Sequence, residues 1–150
     1  MSADSTQDEL LIACRRIGEA MDLFDEAACR SLGIGRSDLR ALNLLEDGPI
    51  GASEIARRLG LTKASVTSLI DRLQRANYVA RRADDADRRA VLVELQPATW
   101  QALARIYRPL GLHVAASTTN VTGAHRRRVS ATLRQLGAAF DEARSGLGRP

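Results

Sequence analysis

The side chains best suited to contact a polyanion lie together in the segment LTKASVTSLIDRLQRANYV, residues 61–79. Thr62 is a favourable N-cap, and the apolar residues after it recur at a spacing that predicts one buried helix face. That face contains Val66, Leu69, Ile70 and Leu73. A merely solvated outer face would usually carry Glu, Lys and Gln. The first two turns instead present one lysine among short side chains: Thr62, Lys63, Ala64, Ser65, Thr67 and Ser68.

Such a surface lets a helix N-terminus approach phosphate closely, because its backbone N–H groups and the positive end of its dipole face the anion. The preceding segment ASEIARRLG, residues 52–60, predicts a short helix that buries Ile55 and Leu59 and ends at Gly60. A short helix, a turn and a longer helix with a polar outer face form a helix-turn-helix. Two packed helices without a nucleic-acid partner remain the alternative interpretation.

The segment YVARRADDADRRAVLVEL, residues 78–95, predicts a two-stranded ribbon directly after that helix. Its strands are expected at residues 78–82 and 91–95, so its charged tip would project as a wing. We expect Arg88 to enter the narrow minor groove of DNA, where the negative potential is strongest. Asp87 and Arg89 lie two residues apart and are expected to pair and brace the tip. Alternatively, the charges only deter pairing between sheet edges.

Helices are predicted at both ends of the chain. Leu10 and Ile17 belong to an apolar stripe in a long first helix that ends at SLGIG, and a second helix is expected over residues 36–46. Two further stripes follow Pro97, and all three exceed what a small winged domain can cover. We therefore expect a two-fold symmetric dimer, with intrachain core packing as the alternative. The predicted interface residues are Leu10, Ile17, Val129, Leu133, Leu136 and Phe140.

Length, charge and composition limit the possible functions. A chain of 150 residues that is 45% hydrophobic can bury one ordinary core, so a single domain over residues 1–150 is expected. A long apolar run and a signal-peptide pattern are both lacking, which predicts a cytoplasmic protein without membrane contact. The formal charge of +4 permits a polyanionic partner. The sequence shows no catalytic constellation, metal-ligand cluster or cofactor motif, so we expect no enzyme, no metal and no cofactor.

The central segment, from LGLTKASV through the D-x-x-D-R-R pattern of the wing to PATW, resembles the MarR (multiple antibiotic resistance regulator) family of bacterial transcription factors. The resemblance is close over residues 32–100. It implies a mainly α fold with a small β-wing, a winged helix-turn-helix over residues 36–95. It also implies a homodimer built by helices within residues 1–32 and 97–145, often released from DNA by a small ligand. The DNA contacts that it implies are Thr62, Lys63, Ala64, Ser65, Thr67, Ser68, Arg72 and Arg88.

Gly35 departs from the family pattern, which often has a capping Thr at this position. This departure weakens one expected phosphate contact and shifts that task to Arg36 and Ser37. The family commonly places effectors between the dimer helices and the winged domain. The resemblance therefore makes four residues candidate effector contacts: Arg16, Arg40, Trp100 and His113.

The predicted function is that of a dimeric, sequence-specific DNA-binding regulator. It is expected to be a repressor that recognises an inverted repeat in double-stranded DNA and is released by a small-molecule effector. One alternative is a winged-helix module for protein interaction. Another is a redox-sensing repressor acting through Cys14, although the family's sensing cysteine aligns with Leu11. We expect both Cys14 and Cys29 to be buried, inert thiols.

Overall fold

A computed structural model of the chain describes residues 3–84 and 90–147. Within these residues the fold is mainly helical with a small antiparallel sheet, which confirms the predicted fold class. In chain order the elements are α1 (Ala3–Leu32), α2 (Arg36–Leu45), β1 (Ile50–Gly51), α3 (Ala52–Leu59), α4 (Lys63–Arg75), β2 (Val79–Ala83), β3 (Val91–Leu95), α5 (Pro97–Ser117) and α6 (Gly123–Leu147).

The chain forms two compact units, Met1–Ile106 and Tyr107–Pro150, which divide inside α5. The larger unit has a core where α2, α3 and α4 pack together and against the sheet. Leu42 and Ile55 lie at its centre and are completely buried. The apolar residues predicted from the spacing in α4 are all buried there, together with Leu39 and Leu45 of α2. The boundary between the two units lies within α5, so this helix contributes to both of them. That the whole chain is one domain stays a prediction.

The sheet has three strands in the order β1-β3-β2, all antiparallel. The predicted hairpin is present as β2 and β3, with Val79 opposite Leu95 and Ala83 opposite Val91. We call this hairpin the wing. Strand β1 is a short third strand at the other side of β3, where Ile50 pairs with Val93. Strand β2 begins one residue later than predicted, because the amide of Tyr78 is bonded to the end of α4.

The smaller unit contains the end of α5, a turn and α6. The hydroxyl of Thr122 accepts a hydrogen bond from the amide of His125 at 3.3 Å and so caps the start of α6. Within the described part of α6 no side chain is buried. The apolar stripe of this helix is therefore left uncovered by the single chain.

Candidate nucleic-acid interface

The turn between α3 and α4 is set by two backbone features. Gly60 ends α3 in the left-handed conformation at φ +67°, which a glycine adopts without steric cost. Thr62 then caps α4, since its Oγ1 accepts a hydrogen bond from the amide of Ser65 at 3.2 Å. The predicted helix-turn-helix is therefore present. Because α4 presents the candidate interface, we call it the reading helix.

The outer face of the reading helix is exposed and has little relief. All six residues predicted to contact DNA in its first two turns, from Thr62 to Ser68, are exposed. The hydroxyls of Thr62 and Ser65 lie 2.8 Å apart, and Thr67 donates to the carbonyl of Lys63 at 3.0 Å. Among the described residues, the Lys63 amine and the Ser68 hydroxyl have no hydrogen-bond or ionic partner. The short side chains thus lie close to their own backbone, while these two polar groups are available to a ligand.

Arg72 of the reading helix has a partner that sequence reasoning missed. Its Nη2 lies 2.5 Å from Oδ1 of Asp38, and its Nε donates to Oδ2 of the same carboxylate at 3.2 Å. Asp38 also accepts from the amide of Gly35 at 3.2 Å, which ties the N-cap residue to the first turn of α2. Arg72 was predicted only as a DNA contact. In the structure Arg72 fixes the reading helix to α2, and its DNA contact stays a prediction.

Arg36 and Ser37 open α2, where the resemblance predicts phosphate contacts. Arg36 lies against the acidic end of α1, with its Nη2 2.5 Å from Oδ1 of Asp22. Asp25 and Glu26 are each 4.0 Å from its guanidinium. Ser37 is exposed. To contact a phosphate, the Arg36 guanidinium would have to leave these carboxylates or bind the phosphate in addition to them.

The wing is tied to the reading helix by Arg81 of β2. Its Nη2 lies 2.6 Å from Oδ1 of Asp71, and its Nη1 donates to the side-chain amide of Gln74. Across the wing, Nε of Arg82 donates to Glu94 at 2.9 Å. The amide of Asp84 donates to the carbonyl of Ala90 at 3.0 Å and closes the base of the tip. The predicted tip residues Asp87, Arg88 and Arg89 lie outside the described residues.

The residues predicted to form the dimer interface are apolar and mostly exposed in the single chain. In the larger unit, Leu10 and Ile17 of α1 are 46% and 51% exposed. In the smaller unit, Leu133 and Phe140 are 52% and 53% exposed, Val129 is also exposed, and Leu136 is half-buried. Core packing within either unit does not account for these residues.

The four candidate effector contacts are all exposed. Arg16, Arg40 and Trp100 belong to the larger unit and His113 to the smaller one. An open surface depression of about 400 Å³ lies elsewhere, where Asp71, Gln74 and Arg75 line it at the C-terminal half of the reading helix. The predicted effector site stays a prediction.

The two cysteines differ in their surroundings. Cys29 is buried in α1, and desolvation together with the nearby Asp25 carboxylate raises the pKa of its thiol. Cys14 is only half-buried, so the expectation of burial fits Cys29 better. A thiol with a raised pKa holds little thiolate at neutral pH, which makes Cys29 a poor nucleophile. The described residues contain no group of three potential metal ligands, and none of their helices has the length and hydropathy to cross a bilayer.

Helix α3 is stabilised by ion pairs within its own sequence. The carboxylate of Glu54 accepts from Nε of Arg57 at 2.8 Å and from Nε of Arg58 at 2.8 Å. These two hydrogen bonds lower the pKa of Glu54 to about 2. Glu54 lies in the first turn and both arginines in the last, so every charge also complements the helix dipole.

Comparisons with known proteins agree with this geometry. The sequence model of the MarR family matches residues 32–90. The uncharacterized HTH-type transcriptional regulator YcgE of Bacillus subtilis is 40% identical over 97 residues, which cover 64% of this chain and 63% of that relative. The match therefore spans less than two thirds of the length of YcgE.

Two more distant proteins extend the similarity along the chain. The HTH-type transcriptional repressor YetL of Bacillus subtilis is 26% identical over 141 residues, which cover 92% of this chain and 83% of YetL. A solved structure of a MepR mutant from S. aureus, bound to an oligodeoxyribonucleotide, matches with a TM-score of 0.58 and 16% identity. That match covers 87% of this chain and 97% of the MepR chain. The family is one of transcriptional regulators and not of enzymes. The winged helix-turn-helix of this chain and its central sequence, residues 32–90, therefore match the MarR family of transcriptional regulators.

Proposed function

We propose that two copies of this chain bind an inverted repeat in double-stranded DNA and repress transcription until a small molecule releases them. The observation that carries the proposal is the exposed outer face of the reading helix. There, short side chains surround a capped helix N-terminus, and Lys63 and Ser68 have no partner among the described residues. A helix N-terminus of this kind is suited to enter the major groove and to contact phosphates at its rim.

Two further features support a symmetric, two-site complex. The apolar stripes of α1 and α6 are exposed in the single chain, and a second copy would cover them. A two-fold dimer presents two reading helices to successive major grooves about 34–36 Å apart, and therefore prefers an inverted repeat. In this complex we assign Arg88 to the minor groove, with Asp87 and Arg89 bracing the tip, as the sequence predicts.

Two relatives support repression and DNA binding. YetL is named as a transcriptional repressor, which supports repression, and the MepR mutant was solved with an oligodeoxyribonucleotide, which supports DNA binding. Release by a small molecule is proposed from the family resemblance of the sequence. Arg16, Arg40, Trp100 and His113 are the proposed effector contacts. Because the chain has a single tryptophan, which is 43% exposed, titration with phenolic compounds should change its fluorescence if one binds beside it.

The DNA-binding proposal is tested by the salt dependence of binding. Each phosphate contact releases condensed counterions, so the logarithm of the binding constant falls with the logarithm of salt concentration. Lys63→Gln should lower the magnitude of that slope by about 1, because it removes one phosphate contact. Arg134→Gln is the matched control, since Arg134 is an exposed cation on α6. Binding without salt dependence, or equal changes in both variants, would contradict the proposal.

A further inference from the structure

Tyr78 makes hydrogen bonds to the ends of three helices. Its amide donates to the carbonyl of Leu73 at 2.9 Å and completes the C-terminal cap of the reading helix, in which Asn77 takes the left-handed conformation at φ 60°. Its phenol donates to the carbonyl of Leu32 at 2.5 Å. Its own carbonyl accepts from the amide of Gln96 at 3.0 Å and from the hydroxyl of Thr99 at 2.7 Å.

Two of these bonds satisfy carbonyls that the C-terminal ends of α1 and the reading helix leave open, and the other two tie Tyr78 to the start of α5. Leu32 is the last residue of α1, so its carbonyl has no partner within the helix. Gln96 directly precedes α5, and Thr99 lies in the first turn of that helix with only 2% of its surface exposed. Tyr78 itself is half-buried. The bonds are therefore partly shielded from competing water, which makes their loss costly.

From this arrangement we propose that Tyr78 is a positioning residue, which holds the reading helix at a fixed orientation to α1 and α5. The inference rests on the proposed function, in which the reading helix enters the groove and α1 contributes to the dimer, and on the family resemblance, which places α5 in the same dimer layer. The spacing of two bound half-sites depends on how rigidly each reading helix is held by that layer. Tyr78 joins the C-terminal end of the reading helix to α1 and α5, at the opposite end from the DNA-facing N-terminus.

The phenol of Tyr78 can be removed with little change in shape. Tyr78→Phe keeps the ring and the three hydrogen bonds of the Tyr78 backbone but leaves the Leu32 carbonyl without its donor. The reading helix must then be aligned when DNA binds, so affinity for the preferred inverted repeat should fall by about fivefold, the factor that corresponds to one hydrogen bond. One extra central base pair moves the half-sites of the inverted repeat apart by about 3.4 Å. The affinity of Tyr78→Phe for this longer repeat should be almost the same as that of the natural chain. Tyr78→Phe therefore lowers the discrimination between the two spacings.

Thr99 supplies a second, independent pair of variants. Thr99→Val has nearly the same shape but loses the bond to the Tyr78 carbonyl, and should lower the discrimination between spacings in the same direction. Thr99→Ser keeps the hydroxyl and should restore it. Tyr107→Phe removes the chain's other tyrosine hydroxyl, in the smaller unit, and should leave the discrimination unchanged.

The experiment measures affinities of the full-length dimer for both DNA duplexes by fluorescence anisotropy, with circular dichroism as a check on folding. A general loss of stability would lower binding to both duplexes equally and leave their ratio unchanged. If the ratio of the two affinities is unchanged in both Tyr78→Phe and Thr99→Val, the inference is overturned while the proposed function stays intact. If the natural chain binds neither duplex in preference to random DNA, the proposed function fails and the inference fails with it.

Discussion

Arg72 and Asp38 form a two-point ion pair that joins the reading helix to α2, with Nη2–Oδ1 at 2.5 Å and Nε–Oδ2 at 3.2 Å. The two ends of the pair differ in exposure: the Asp38 side chain is 6% exposed and that of Arg72 is 53% exposed. A nearly buried carboxylate depends on its partner more than a half-exposed guanidinium does. The pair therefore acts as an anchor for the reading helix.

Removal of Arg72 should destabilise the chain by leaving that carboxylate without its countercharge. For Arg72→Met we expect a loss of about 1–2 kcal/mol in the free energy of unfolding, since half-exposure of the guanidinium screens the pair. Adding Asp38→Asn to Arg72→Met should cost less than the sum of the single changes, because the two residues act together. Urea denaturation measures all three variants. Arg75→Met, one turn away, is the control, because within residues 3–84 and 90–147 its guanidinium is bonded only to the Asp71 carbonyl, at 3.2 Å. Additive effects of the pair would contradict the anchor.

The dimer proposal predicts that a charge placed on the apolar stripe of α6 separates the two copies. Phe140→Asp should give a monomer, because an ionised carboxylate in an apolar interface is not solvated. Ala138→Asp places the same charge on the opposite face of the same helix and should leave the dimer intact. Light scattering coupled to size-exclusion chromatography distinguishes the two masses. If both variants are dimers, α6 does not lie in the dimer interface.

The wing predicts unequal roles for two arginines. Arg88→Ala should weaken operator binding by about 1–2 kcal/mol, since it removes a cation from the minor groove. Arg144→Ala should have little effect, because Arg144 pairs with Asp141 on α6 and its side chain is 60% exposed. Electrophoretic mobility shifts at fixed salt compare the variants. An equal loss at both positions would count against insertion of the wing.

The ion pairs of α3 predict the pH at which Glu54 titrates. Its pKa in the folded chain is about 2, below the ordinary value of 4.5, so the carboxylate is favoured by folding. The stability that it contributes is present above pH 4.5 and is lost as the pH falls toward 2. The Glu54 carboxyl signal in an NMR titration should have its midpoint near 2 and shift upward in Arg57→Gln. An ordinary midpoint in the natural chain would show that the pairs do not persist in solution.

Short-range patterns in the sequence predicted the helices and strands well, but they did not predict the side-chain contacts between these elements. The spacing of Val66, Leu69 and Leu73 defines the buried face of the reading helix, and Thr62 identifies its start, because helix periodicity and capping depend on neighbours within one or two turns. The partner of Arg72 is 34 residues away in the chain. A helical projection shows that Arg72 borders the outer face, but it does not show which carboxylate lies beside it.

The ends of helices illustrate the same limit. The sequence places Asn77, a residue type that tolerates the left-handed conformation, at the end of the reading helix, where its φ is 60°. It did not reveal that the next residue, Tyr78, would also bond to α1, 46 positions earlier. Arg36 likewise was predicted from the family to contact phosphate, while its contact with Asp22 depends on how α1 and α2 pack.

Selection of bound sequences from a random pool of duplex DNA tests the central claim, that two exposed reading helices of a symmetric dimer recognise DNA together. We predict enrichment of an inverted repeat whose half-site centres are separated by about 10–10.5 base pairs or a multiple of that spacing. Recovery of sequences without two-fold symmetry, or no enrichment over the starting pool, would contradict it.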